Sequence, residues 1–320
     1  MGIEDRPRCP SMKHTKVSGF GGRALPAETI SQEEACVSHR CYRRFTLTLQ
    51  APFPDLDEII ASVGEAGQRL SEIDATEGAA GNITVYFGWP IDPRRKFPIA
   101  ETIDLPMQLP DFVGKIFLAT GSGRRLREII QDPAANLGFV VVDDGGRTGQ
   151  LYTSPRRLFQ KLTSEFNSHL AVHCDQVQAT GTNFHALIHA QPPHLTFLSH
   201  IPRYQDERYL NRHVLRWEPE LIVNLPEGLG HVPFLVPGSS DLMAATMESL
   251  RAHRVVIWGK HGVMARSDQS VKRAADRIEY AEAGARYEYM NLGAQELGEG
   301  LRDEEIRAVC QAFGVQQKIF

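Results

Sequence analysis

Two of the twelve histidines stand where an apolar run gives way to a turn. His189 follows the run 184–188 and precedes Gln191-Pro192-Pro193, while His261 sits in Gly259-Lys260-His261-Gly262, directly after the run 255–258. An imidazole at a strand end beside Gly or Pro can project into a cleft, where neutral imidazole is a good zinc ligand. Glu165, in the first turn of a predicted helix, is a third candidate donor. Each has an ordinary alternative. A strand-end histidine is more often a surface or hydrogen-bonded residue, and a Glu in a first helical turn more often answers the helix dipole or completes a capping box. His189 and His261 lie 72 residues apart, so spacing alone is a weak metal signal.

A second chemistry is anion binding. Thr120-Gly121-Ser122-Gly123 offers backbone N–H groups and hydroxyls in one turn. Thr163 and Ser164 place two hydroxyls at a helix N-terminus, where the dipole favours an anion. Asn82, after Gly81, brings an amide to the start of a strand. Turn formation and helix capping explain the same residues without a phosphate. Three further histidines read as structural. His169 and His173 follow Glu165 at helical spacing and read as core or supporting residues. His185 shares a strand face with His189 but lies about 13 Å along it, too far for one ion.

The elements that must position these groups interleave after residue 54. Leu56, Ile59, Ile60, Val63, Leu70 and Ile73 recur at helical spacing over 55–73. Residues 82–87 alternate as a strand. Residues 88–114 hold several prolines and form a long excursion. Residues 116–119 and 139–142 are strands, the latter turned by Asp143-Asp144-Gly145-Gly146 toward a return strand at 151–153. A helix capped by Thr163 or Ser164 runs to about 176, and a strand over 184–190 precedes a helix ending at 198. Strands are expected at 221–224, 254–258 and 263–265. Helices are expected from Ser239 or Ser240 to 253, over 268–292, and over 303–313, the last stopped by Gly314. Short hairpin connections favour an α/β fold of three layers, α/β/α, with a mainly antiparallel central sheet. Residues 1–50 lack periodicity and read as a poorly ordered or peripheral arm, with an added strand at 45–49 as the alternative. Residues 51–320 form the main domain.

The totals narrow the function. A net charge of −4 gives no reason to expect nucleic acid or an anionic membrane as partner. No apolar run is long enough to span a bilayer, and residues 1–30 lack a signal-peptide core. Cys9, Cys36, Cys41, Cys174 and Cys310 form no CxxC pair and read as reduced thiols of a cytoplasmic protein.

Several blocks then fall in one order: Gly81-Asn82-Ile83-Thr84, Thr120-Gly121-Ser122-Gly123, 131–138 (QDPAANLG), Thr163-Ser164-Glu165 with His169 and His173, Ile188-His189, Val236-Pro237-Gly238, and 258–263 (WGKHGV). Over about residues 56–315 they resemble the class II aldolase/adducin family, and within it the L-rhamnulose-1-phosphate aldolases, to which the 131–138 block points. The resemblance implies a homotetrameric enzyme that cleaves a ketose 1-phosphate to dihydroxyacetone phosphate and an aldehyde. One Zn²⁺ per subunit acts as a Lewis acid that stabilises the enediolate, and a Glu moves the proton. Glu165 matches the general acid/base, and His189 and His261 match metal ligands. Asn82, Thr120, Gly121, Ser122, Gly123, Thr163 and Ser164 match the phosphate site. The family's second histidine is Gln191 here, and an asparagine of its Glu-Arg-Asn-Gly-Gly-Asn motif is Ala79. Either Gln191 ligates through its amide oxygen, or His194 takes the place, or the metal is lost. Another enzyme of this scaffold (an epimerase, dehydratase or decarboxylase) and a non-catalytic adducin-like binding module are the alternatives.

Overall fold

The computed structural model describes residues 48–320. The expected arm therefore lies outside the described residues except for positions 48–50, as do Cys9, Cys36, Cys41 and most of the alternative strand at 45–49. Thr48 and Leu49 are not in a strand. Leu49 is tied instead to the Asn183 side chain, which accepts from Leu49 N (2.8 Å) and donates to Leu49 O (2.9 Å).

The elements in chain order are α1 (Leu56–Glu72), β1 (Asn82–Phe87), β2 (Ile99–Asp104), β3 (Ile116–Thr120), α2 (Pro133–Asn136), β4 (Leu137–Val142), β5 (Thr148–Thr153), α3 (Phe166–Thr180), β6 (Phe184–Ala190), α4 (Pro193–Leu198), α5 (Glu207–Val214), α6 (Pro219–Asn224), β7 (Gly230–Val232), α7 (Ser240–Ala252), β8 (Val255–Trp258), β9 (Gly262–Ser267), α8 (Val271–Gly293) and α9 (Asp303–Phe313). The strands form one sheet in the order β2-β5-β4-β3-β1-β6-β9-β8-β7. Every neighbouring pair is antiparallel except β7 and β8.

Strand period two sorts the central side chains onto two faces. On one face Ile83, Val85, Phe87, Ala186 and Ile188 pack with Val63 and Leu70 of α1 and Ile278 of α8. On the other, Tyr86 packs with Leu170 of α3, and Leu187 with Leu242 and Leu250 of α7. All six residues of β1 and all seven of β6 are buried, as expected of central strands covered by helices on both sides. Each fully buried large apolar side chain contributes about 1.5–3 kcal/mol to this three-layer sandwich. Local chemistry agrees with the layers. Asp55 and Glu58 close a reciprocal capping box on α1, and Ser239 Oγ accepts from Leu242 N to cap α7.

Three expectations need correction. Residues 221–224 are helical, not a strand. Pro219 occupies the first turn of α6, and Leu221 and Ile222 bury one helical face. The excursion over 88–114 contains the edge strand β2, which pairs along its length with β5. Neither Thr163 nor Ser164 caps α3: the N-cap is Glu165, with no side-chain cap. Thr163 Oγ1 instead accepts from Glu165 N at 3.4 Å, bending the chain into the helix.

Candidate metal centre

Three elements converge on Glu165. β1 and β6 pair so that Asn82 lies opposite His189, and β6 and β9 pair so that His189 lies opposite Met264. His261 lies in the loop joining β8 to β9, where Lys260 takes a left-handed φ of 64° and Lys260 N donates to Ser199 Oγ (2.8 Å). His261 N donates to Trp258 O (2.9 Å), which closes the turn. Glu165 enters from the start of α3.

The ligand atoms of Glu165, His189 and His261 all lie within 4.8 Å of one another. Glu165 Oε2 is 3.7 Å from His189 Nε2, and Oε1 is 3.7 Å from His261 Nε2. Glu165 is 4% exposed and His189 2%. His189 Nδ1 donates to Val263 O at 2.9 Å, which fixes the tautomer and leaves the Nε2 lone pair facing the carboxylate. The Trp258 ring backs both imidazoles, 4.7 Å from His189 and 5.2 Å from His261 between centroids. Trp258 Nε1 is itself tied to Thr246 Oγ1 (2.8 Å). Burial pushes the His261 imidazole below its usual pKa, neighbouring His189 adds to this, and the Glu165 carboxylate opposes it. A neutral imidazole is the form that can donate a lone pair to a cation.

The donor set fits a divalent cation. Bonds of 2.0–2.1 Å in tetrahedral array put donor atoms about 3.4 Å apart. The 3.7 Å separations seen here are slightly wider than that and too long for direct hydrogen bonds. Gln191 borders the same space. A Cβ added at Gly262 would stand 3.1 Å from both Gln191 Cγ and His189 Cε1. The Gln191 side-chain amide makes no hydrogen bond to another described residue, so its oxygen is available. His194 is not part of the centre: its Nδ1 is bonded to Glu282 Oε1 at 2.6 Å. Against a firmly held ion, His261 Nδ1 is buried without a hydrogen-bond partner among the described residues, so no hydrogen bond fixes that ring.

Asn82 Nδ2 donates to Glu165 Oε2 at 2.8 Å, while its Oδ1 is buried without a partner among the described residues. The amide thus orients the carboxylate and leaves one acceptor for a hydroxyl donor. The Thr120–Gly123 turn is also less open than its composition suggests. Gly121 N donates to Asn136 O (2.9 Å) and Ser122 N to Lys161 O (2.8 Å). A Cβ on Gly121 would stand 2.2 Å from the Phe159 ring, so packing alone demands that glycine. Thr120 Oγ1 accepts from Ile83 N (3.2 Å). What remains for an anion are the exposed Ser122, Gly123 and Ser164, with Thr163 beside them. Lys161 joins them opposite Ser122 and makes no ion pair among the described residues. A cavity of about 720 Å³ is lined by Lys161, Thr163, Ser164, Asn167, Leu105 and Gly238. Sequence reading passed over Lys161 and Trp258, because a lone Lys in a loop and an apolar strand residue carry no signal until the pairing of 120–122 with 161–163 and of β8 with β9 is known.

His169, His173 and His185 are fully buried beneath the centre; Thr84 links His169 to His173, and His173 bonds directly to His185.

The chain is similar to known proteins over most of its length. Rhamnulose-1-phosphate aldolase of Listeria innocua is 30% identical over 223 residues, covering 69% of this chain and 79% of the relative. Its counterpart in Escherichia coli O7:K1 is 30% identical over 214 residues, covering 67% and 77%. The crystal structure of a sugar-phosphate aldolase from Thermotoga maritima superposes with a TM-score of 0.64 at 25% identity, covering 76% of this chain and 98% of that one. Residues 61–289 match the family described as Class II Aldolase and Adducin N-terminal domain, and the chain belongs to that family.

Proposed function

We propose that this protein is a metal-dependent aldolase that cleaves a ketose 1-phosphate, with rhamnulose 1-phosphate the first substrate to test, into dihydroxyacetone phosphate and an aldehyde. The observation that carries the reading is Glu165, held by Asn82 between the Nε2 atoms of His189 and His261. The names of the relatives from Listeria innocua and Escherichia coli support the substrate class.

His189, His261 and the Gln191 amide oxygen would hold a divalent cation, zinc by donor chemistry, with Glu165 close enough to serve as a further donor before substrate binds; the cation would supply Lewis acidity toward the ketose carbonyl and hydroxyl oxygens. Glu165 handles the proton. In the cleavage direction the bond between the carbon next to the carbonyl and the carbinol carbon breaks. Its electron pair stays with the dihydroxyacetone phosphate half, the carbinol O–H proton passes to the Glu165 carboxylate as the aldehyde forms, and Glu165 delivers that proton to the new carbanionic carbon and returns to its carboxylate form. In synthesis the Glu165 carboxylate takes that proton instead. Asn82 holds the carboxylate in place by its Nδ2 and offers Oδ1 to a substrate hydroxyl. Ser122, Gly123, Thr163 and Ser164 supply neutral donors to the phosphate, and Lys161 supplies the cationic charge. Trp258 covers the two imidazoles from behind and excludes water. The reading carries with it a homotetramer acting on a small phosphorylated sugar.

Gln191 favours a second reading on the same scaffold, an epimerase or decarboxylase with a weaker metal requirement. The test is coupled assay of dihydroxyacetone phosphate release from rhamnulose 1-phosphate, with metal content measured on the same sample. The expected result is turnover that excess chelator abolishes and Zn²⁺ restores. Equal turnover in chelator contradicts the metal-dependent mechanism, and inertness toward ketose 1-phosphates with bound metal present favours the second reading.

A further inference from the structure

A continuous polar chain runs through the core between the sheet and α3. His169 Nδ1 lies 2.7 Å from Thr84 Oγ1, which lies 2.7 Å from His173 Nε2, and His173 Nδ1 lies 2.8 Å from His185 Nδ1. All four residues are 0% exposed. The two ends, His169 Nε2 and His185 Nε2, are buried without partners among the described residues. Burial pushes all three imidazoles well below their usual pKa, so they are neutral in the folded protein.

Three neutral imidazoles and one hydroxyl carry four protons for three hydrogen bonds. The Thr84 hydroxyl can donate to only one imidazole and must accept from the other. If it donates to His173 Nε2, His169 and His173 both carry Nδ1–H, and His185 carries the surplus proton on Nε2. If it donates to His169 Nδ1, every bond reverses and His169 carries the surplus proton on Nε2. Only these two arrangements satisfy all three bonds. In both, His169 and His173 share a tautomer and His185 has the opposite one. Removing the Thr84 hydroxyl breaks the chain at its centre and leaves two buried imidazoles short of a partner, which is costly in a low-dielectric interior.

The chain joins the same three elements that build the candidate metal centre. β1 carries Asn82 and, two residues on along the same face, Thr84. β6 carries His189 and, four residues back on the same face, His185. α3 is entered at Glu165 and carries His169 and His173 at successive four-residue steps. We propose that this chain is a positioning network that sets Glu165 relative to His189, with Thr84 the positioning residue at its centre. The proposal rests on the reading of Glu165 and the two imidazoles given above. Apolar packing is non-directional, whereas directional bonds at two successive turns of α3 fix both its height and its rotation. A displacement of about 1 Å at a catalytic group is enough to cost roughly 100-fold in rate.

The experiment compares Thr84→Val, which keeps the shape and loses the hydroxyl, with Thr84→Ser, which keeps the hydroxyl. Both full-length variants are assayed on rhamnulose 1-phosphate, titrated with Co²⁺ by visible absorption, and labelled with ¹⁵N-histidine. The network predicts that Thr84→Val folds but loses roughly 10–100-fold in kcat with KM little changed, and binds Co²⁺ more weakly, while Thr84→Ser recovers both. Wild-type imidazole spectra show His169 and His173 in one tautomer and His185 in the other. A Thr84→Val variant with unchanged kcat and Co²⁺ affinity overturns the proposal, and so does a Thr84→Ser variant as impaired as Thr84→Val. The imidazole spectra need neither substrate nor metal. An inert wild type with coupled tautomers therefore indicts the functional reading, and uncoupled tautomers indict the network itself.

Discussion

The two groups of histidines on the α3 side of the sheet have the same ring and opposite fates. His189 and His261 turn their Nε2 atoms toward one carboxylate at 3.7 Å, with no hydrogen bond between donor and acceptor. His173 and His185 turn their rings toward one another and bond at 2.8 Å. The difference is one of partners more than of burial: His189 is nearly as enclosed as His185, while His261 keeps some exposure. A buried imidazole bonded to another protein side chain uses that bond to hold the fold. A buried imidazole whose lone pair faces a carboxylate across a gap is prepared for something the protein does not itself contain. That contrast separates a structural histidine from a candidate ligand where composition cannot.

Substitutions can break the contrast from either side. The largest effect is expected at Glu165. Glu165→Gln keeps the shape and a hydrogen-bonding amide but removes the base, and should lower kcat for aldol cleavage by roughly 10²–10⁴ with folding intact by circular dichroism. A full-rate variant would make the gap between the imidazoles incidental. Next comes Gln191→His, which replaces an amide oxygen bordering the centre by an imidazole. Zn²⁺ affinity, measured by competition with a chromophoric chelator, should rise by about 10-fold or more. Unchanged affinity would mean that position 191 does not face the ion.

A separate effect, on stability and not on rate or affinity, belongs to the enclosed histidines. Their folded pKa values lie below the unfolded value of about 6.5. Above that value neither state binds the proton, and the stability is fully present. As pH falls below it, the unfolded chain takes up protons that the folded chain refuses. Stability then declines by up to about 1.4 kcal/mol per pH unit for each histidine, until the folded pKa is reached. Urea unfolding at pH 7.5 and at about pH 5.5, in chelator, should show this loss. A flat profile would mean that the chain of imidazoles is hydrated or charged.

Much of the architecture was legible because it rests on local rules. The period of Ile59, Ile60, Val63 and Leu70 announces α1, and the Asp143–Gly146 turn announces the hairpin of β4 and β5. Residues 221–224 were misread because a four-residue apolar run fits strand and buried helix alike, and Pro219 was the cue for the helix. At the site, the strand-end positions of His189 and His261 were legible as single residues. Their convergence was legible only through the family resemblance, since from the residues alone it depends on β6 and β9 pairing across the sheet. The hydrogen bonds that take up the Gly121 and Ser122 amides, and the bond from Asn82 to Glu165, are tertiary and leave no pattern along the chain. The Thr84 network was invisible for the same reason: helical spacing marked His169 and His173 as inward-facing but could not say what they meet.

The claim on which the rest depends is that Glu165 moves a proton to and from the carbon next to a ketose carbonyl. The direct measurement is deuterium exchange into dihydroxyacetone phosphate in D₂O, followed by proton NMR with Zn²⁺ present and no aldehyde acceptor. The account predicts loss of a single stereospecific C–H signal with wild type, and exchange at the uncatalysed rate with Glu165→Gln. Exchange by Glu165→Gln as fast as by wild type would contradict it.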